Sequence, residues 1–125
     1  ARNNIGVFYE GGIGVKKDVH EAVRLYRDGA SKGYAKSQFD LGRCYYDGIG
    51  LEINKVDAFE WFRMGAENGS ADGQYMLGYM YENGESVEKS VSEAVSWYTK
   101  AADRGNQNAK TALGRLKAQE APSDH

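Results

Sequence analysis

Residues 35–50 read AKSQFDLGRCYYDGIG, and residues 71–86 repeat the pattern as ADGQYMLGYMYENGES, 36 positions later. The glycine at the centre of the stretch, Gly42, recurs as Gly6, Gly78 and Gly114, each step again 36 residues. In the same register fall Tyr9, Tyr45 and Tyr81; Gly12, Gly48 and Gly84; Ala22, Ala58 and Ala94; Ala30, Ala66 and Ala102; and Gly33, Gly69 and Gly105. Self-similarity at one fixed period is the signature of a repeat architecture, in which each module covers the apolar face of its neighbour.

Within a repeat, Gln38, Leu41, Gly42 and Tyr45 follow the i, i+3, i+4, i+7 stripe of an amphipathic helix, here helix A, over about residues 35 to 46. Asp47-Gly48-Ile49-Gly50 breaks it, with glycines suited to a left-handed helix end and a turn. A second helix, B, restarts at a cap. Asp18 with Glu21, Asn54 with Asp57, and Ser90 with Glu93 each place a capping side chain three residues before an acid. One face of helix B then carries Ala22, Leu25, Tyr26, Gly29 and Ala30, repeated as Ala58, Trp61, Phe62, Gly65 and Ala66, and as Ala94, Trp97, Tyr98, Ala101 and Ala102. Small residues let helices approach, and aromatic rings fill the space between layers. The Met and aromatic columns therefore read as core.

The predicted fold is all-α, a right-handed α-solenoid of stacked antiparallel helix pairs with a 36-residue period, about three repeats and a C-terminal capping helix. The expected boundaries are helix pairs at about 1–33, 34–69 and 70–105, a cap helix at 106–119 closing a domain of residues 1–119, and a disordered tail at 120–125. Ser86 takes the place of the second turn glycine in the third repeat, and Thr111 and Lys117 take the places of aromatics in the last segment. After Leu116 the periodic pattern is lost and Pro122 ends any helix, so the tail is expected to be frayed.

Composition narrows the function. Sixteen Lys and Arg against eighteen Asp and Glu leave a net charge of −2, with no basic surplus for phosphates, so nucleic acid is not an expected partner. No stretch approaches the roughly 18 uninterrupted apolar residues of a membrane span, so no membrane insertion is expected. One cysteine, Cys44, and two histidines, His20 and His125, supply neither a disulfide nor a metal cluster, and no cofactor is called for.

Helix A with "LG" and a tyrosine four residues after the leucine, the "G-x-G" turn, and a capped helix carrying "A…W-Y/F…A" with a terminal glycine resemble the Sel1-like repeat. The pairs AKSQFDLGRCYYDGIG with DAFEWFRMGAENG, and ADGQYMLGYMYENGES with EAVSWYTKAADRG, carry the resemblance. A tetratricopeptide array is the near neighbour, but its period of about 34 is shorter. The resemblance implies a solenoid whose A helices line the inner surface, acting as an adaptor or scaffold for a protein or peptide.

Stepping roughly 100° per residue around helix A places Lys36, Asp40, Arg43 and Asp47 away from the core. Their equivalents are Asn4, Val7 and Gly11 in the first repeat, Asp72, Met76, Tyr79 and Asn83 in the third, and Asn108, Ala112 and Arg115 in the last helix. One row reads Val7, Arg43, Tyr79, Arg115. Tyr79 beside Met76 is apolar surface that folding alone would not require, and flanking arginines suit carboxylates or aromatic faces. The candidate partner-binding residues are thus Val7, Lys36, Asp40, Arg43, Tyr46, Asp72, Met76, Tyr79, Asn83 and Arg115. Tyr46 fits either the wall of the groove or the core, whereas Phe39 and Tyr75 are expected in the core.

An enzyme or small-ligand-binding accessory is the alternative, and a structural spacer that oligomerises flanking domains is another; self-association fits either. Acyl transfer needs a nucleophile, a base and an oxyanion hole, and sugar hydrolysis needs two carboxylates across a cleft. Ser90 and Ser92 are explained by capping, His20 by an exposed first turn, and Glu10 and Glu82 by repeat symmetry. Cys44 shares the column of Phe8 and Met80 and is expected as a small core residue. The reading is a binding module without catalysis.

Overall fold

The computed structural model describes residues 13–120, and the side chains of residues 18–119. Six helices follow one another among these residues: α1 (Ile13–Ser31), α2 (Ala35–Asp47), α3 (Lys55–Glu67), α4 (Ala71–Asn83), α5 (Val91–Asp103) and α6 (Gln107–Glu120). α2 and α4 are A helices, α1, α3 and α5 are B helices, and α6 occupies the A position of the last module. Each helix packs mainly against the next in sequence, the short-range connectivity of a stacked array.

Glycine makes the A–B contact possible. A Cβ built on Gly42 would lie 2.7 Å from the ring of Phe62, and one on Gly78 would lie 2.6 Å from the ring of Tyr98. Both distances are shorter than any real carbon contact, so the B-helix ring sits directly on the A-helix backbone. Phe39 then flanks Phe62 at 5.7 Å between ring centroids, and Tyr75 flanks Tyr98 at 5.6 Å. The modules are joined by a second set of contacts. Val23 and Ala30 of α1 cluster with Leu41 and Cys44 of α2; Ala58, Phe59, Phe62 and Ala66 of α3 with Leu77 and Met80 of α4; and Ala94, Tyr98 and Ala101 of α5 with Ala109, Ala112 and Leu116 of α6. Each buried cluster therefore bridges a B helix and the following A helix.

Polar groups repeat with the same period. Buried Gln38 donates through Nε2 to the Ala30 carbonyl at 3.2 Å, and buried Gln74 donates to the Ala66 carbonyl at 3.1 Å. These amides occupy positions that the sequence pattern assigns to the apolar stripe. They add a second donor to carbonyls at the end of the preceding B helix that also accept from the Gly33 and Gly69 N–H groups of the turn, at 3.0 and 3.1 Å.

Two caps form where expected: Asn54 Oδ1 accepts from the Asp57 N–H at 3.0 Å, and Ser90 Oγ accepts from the Glu93 N–H at 3.2 Å. The Ser90 N–H donates to the Tyr81 carbonyl at 2.9 Å, as the Asn54 N–H does to Tyr45 at 2.8 Å, so the loop supplies the partner that a capping-box carboxylate would otherwise provide. Asp18 is a correction. α1 begins at Ile13, so Asp18 lies inside the helix rather than at its cap; Val15, Lys16 and Lys17 offer no break in the backbone. Ser86 holds φ +64°, the left-handed conformation that its counterpart Gly50 holds at +72°. α6 stays helical through Glu120, the first residue of the tail expected at 120–125, and residues 121–125 lie outside the described residues.

Candidate functional site

Arg43, midway along α2, is exposed and makes no hydrogen bond or ion pair among the described residues. It flanks Cys44, which is buried; burial pushes that thiol up, and the nearby guanidinium opposes the shift. Asp47, one turn on, is also exposed. On α4, Tyr79 is partly exposed, with its ring 6.4 Å from that of Tyr75. Met76 is partly buried against the core built by α3, and exposed Asn83 donates through Nδ2 to the Tyr79 carbonyl at 2.9 Å. Lys36 is exposed, and Asp72 accepts from Asn106 Nδ2 at 3.0 Å.

Several expected surface residues are committed to the fold instead. Asp40 is a correction: it is only 8% exposed and pairs with Lys36 at 3.4 Å. Ala112, in the same register, is buried against α5, and Met76 is partly buried against the α3 core. An A helix is flanked by its own B helix and by the preceding one, so it buries a wider sector than a single amphipathic stripe predicts. Arg115 reaches across to α4 and grips Glu82 with both guanidinium nitrogens, at 2.5 and 3.0 Å. Glu82 also accepts from the Tyr98 hydroxyl at 2.7 Å. The Arg115 guanidinium holds the Glu82 carboxyl below the usual range against the opposing effect of burial, and the Tyr98 bond adds to it. Val7, with Asn4 and Gly11, lies outside the described residues.

Tyr46 belongs to a cross-module tie. Its hydroxyl donates to Glu85 Oε1 at 2.6 Å, and Lys55 Nζ lies 4.7 Å from its ring centroid and 3.6 Å from Glu85 Oε2. Burial first, then the bond to Glu85, pushes the Tyr46 hydroxyl up, with the neighbouring Tyr79 hydroxyl contributing. The tie joins α2, the start of α3 and the loop after α4. Glu85 and Lys55 were not foreseen, because nothing in the single-repeat pattern links residues 39 positions apart.

Equivalent positions of the two modules also compensate each other. Tyr46 and Phe62 form an aromatic pair at 6.0 Å; their counterparts Glu82 and Tyr98 form a hydrogen bond. An added hydroxyl on the B ring coincides with a carboxylate on the A helix to receive it.

The surface left between these ties is amphipathic: an unpaired guanidinium at Arg43, carboxylates at Asp47 and Asp72, the Tyr79 ring and the Asn83 amide. Such a surface offers ionic and stacking contacts to another polypeptide. Among the described residues no three or more His, Cys, Asp and Glu side chains are grouped to hold a metal ion, and no helix is long and apolar enough to cross a membrane.

The family model for the Sel1 repeat matches residues 1–34, 35–70 and 71–106. A Sel1 repeat protein from Oxalobacter formigenes has a similar crystal structure, with a TM-score of 0.75 and 36% identity over 92% of this chain and 47% of its own. A protective antigen present in uropathogenic Escherichia coli strains, displaying an SLR fold, superposes with a TM-score of 0.79 and 36% identity over 91% of this chain and 24% of its own. This chain thus spans about half of the first structure and about a quarter of the second. No curated protein sequence gives a significant match.

Proposed function

We propose that this chain, which belongs to the Sel1 repeat family, docks a partner protein or peptide on the face formed by its A helices α2 and α4. The family assignment supports the general class, since repeats of this kind generally mediate protein interactions. The observation that carries the reading is Arg43, an exposed cation with no ion pair among the described residues, one repeat away from the partly exposed Tyr79 ring. A fold with Asp47 four residues from Arg43 has an intrahelical ion pair within easy reach, yet Arg43 and Asp47 make none. A partner carboxylate or aromatic ring would complete Arg43, and Tyr79 would supply stacking area at little cost in side-chain entropy.

The ties around Tyr46 and Arg115 have a different role in this reading. They hold α2, α4 and α6 at fixed spacing, so that the docking face is rigid before the partner arrives. Arg43 and Tyr79 are the contact residues, with Lys36, Asp72, Met76 and Asn83 around them.

The test is affinity capture by the wild-type array and by the Arg43→Ala/Tyr79→Ala double variant. Partners of this face should disappear in the variant, while unfolding stability stays within about 1 kcal/mol of wild type, as for surface changes generally. Equal capture by a folded variant would refute the proposal.

A further inference from the structure

We propose that Asn68 and Gly69, in the turn between α3 and α4, form a self-modification site: Asn68 loses its amide as ammonia, Arg104 promotes the step, and the new carboxylate exchanges Gln38 for Arg104 as its partner. The sequence holds two Asn-Gly pairs, Asn68-Gly69 and Asn83-Gly84. Such an amide is open to attack by the next backbone nitrogen, because glycine places no Cβ in the path. The two pairs are held differently. Asn83 is the last residue of α4; its side chain donates to the Tyr79 carbonyl and the Gly84 N–H to the Met80 carbonyl, each at 2.9 Å, so attack there must unwind a helix end. Asn68 is exposed and lies one residue beyond α3, at φ −90° and ψ 7°. The Gly69 N–H is held by one bond at 3.1 Å, to an Ala66 carbonyl that it shares with the Gln74 amide.

Charge separates the two pairs independently. Arg104 Nη2 lies 3.3 Å from the place a Cβ on Gly69 would take, whereas Gly84 has the backbone and Cβ of Lys89 beside it. Arg104 is exposed and makes no hydrogen bond or ion pair among the described residues. Its guanidinium favours loss of the Gly69 amide proton and steadies the negative oxygen that develops on the Asn68 side chain.

The reaction balances without an oxidant or reductant. The Gly69 N–H proton passes to solvent base, the nitrogen bonds to Asn68 Cγ, and the Cγ–Nδ2 bond breaks, ammonia leaving with a proton from solvent. Water then opens the ring at either carbonyl and leaves aspartate or isoaspartate. The lost nitrogen is the one that donates to Gln38 Oε1 at 2.8 Å. Gln38 cannot turn its amide over to receive the product, because its Nε2 is committed to the Ala30 carbonyl. Lys32, Asn68 and Arg104 share one column of the repeat, all of them donors; a carboxylate there only accepts. Arg104 is the donor beside it. This site does not depend on the Arg43 and Tyr79 surface.

The full 125-residue chain, incubated at mildly alkaline pH and followed by peptide mass spectrometry, tests the site. Asn68 should convert well ahead of Asn83. Arg104→Leu should slow Asn68 by about fivefold, the worth of a unit charge at about 4 Å in water, and leave Asn83 unchanged. Arg104→Lys, which keeps the charge, should keep most of the rate, and thermal unfolding establishes that both variants are folded. Arg104→Leu should also lower the unfolding midpoint more in an Asn68→Asp chain than in the unmodified chain, as the exchange of partner requires. Conversion of Asn83 at or above the rate of Asn68, or an Asn68 rate untouched by Arg104→Leu, overturns the site. Equal midpoint losses in the two chains overturn the exchange.

Discussion

Gly42 and Gly114 are identical letters in one column, yet substitution should move stability in opposite directions. Gly42→Ala and Gly78→Ala drive a methyl group into the Phe62 and Tyr98 rings, and overpacking of this kind costs about 1–3 kcal/mol. Gly114→Ala meets nothing and should stabilise by up to about 1 kcal/mol through helix propensity alone. Denaturant unfolding of the three variants checks the pair of signs. Ser86→Gly should also stabilise, by about 1 kcal/mol, because φ +64° strains a residue with a Cβ. At this scale the glycine column was legible because small residues recur opposite large ones. Gln38 and Gln74 were not, since periodicity places a residue on a face without saying what its amide bonds. Their recurrence 36 residues apart, at positions otherwise apolar, was the available signal.

The helix most dependent on polar contacts is α6. Its apolar face is poorer than those of α2 and α4, with Thr111 and Lys117 in place of aromatics, and the Arg115–Glu82–Tyr98 cluster fastens it to α4 and α5. Because the folded Glu82 carboxyl is depressed, its stabilisation is fully present above the unfolded value of about 4.5 and is lost as pH falls through the lower folded value. Arg115 is raised and stays charged throughout. Glu82→Gln should therefore destabilise at neutral pH, by on the order of 1 kcal/mol because Arg115 is half in solvent, and the difference should vanish once Glu82 is protonated. Unfolding of wild type and variant across acid pH, followed by tryptophan fluorescence, checks both points; a constant difference would mean that shape, not charge, holds α6. The helices, their order and two of the caps followed from local pattern. The cluster did not, because Arg115 lies 33 positions from Glu82 in the next module, and the Glu82–Tyr98 bond, although inside one repeat, has no counterpart at Tyr46 and Phe62 of the repeat before.

At the scale of the described array, the buried side-chain clusters each span a B helix and the next A helix, so they join one module to the next, while the A and B helices within a module make the closer backbone approach. Cys44 sits in the cluster joining α1 to α2, so thiol labelling should be slow in the folded chain and should accelerate with denaturant as that junction opens; rapid labelling without denaturant would place the opening in the native state. The inner-face row was only partly legible for the same reason. Asp40 is buried and paired with Lys36 of its own helix, and Arg115 is claimed by Glu82 of α4; a single helical wheel shows neither the burial nor the cross-helix pair. What remains accessible is the Arg43 and Tyr79 surface, and the account stands on its being where a partner docks. Amide hydrogen exchange of the array with and without a captured partner tests that most directly. Added protection should fall in α2 and α4, centred on residues 43 and 79, with α3 and α5 unchanged; protection confined to α3 and α5 would contradict it.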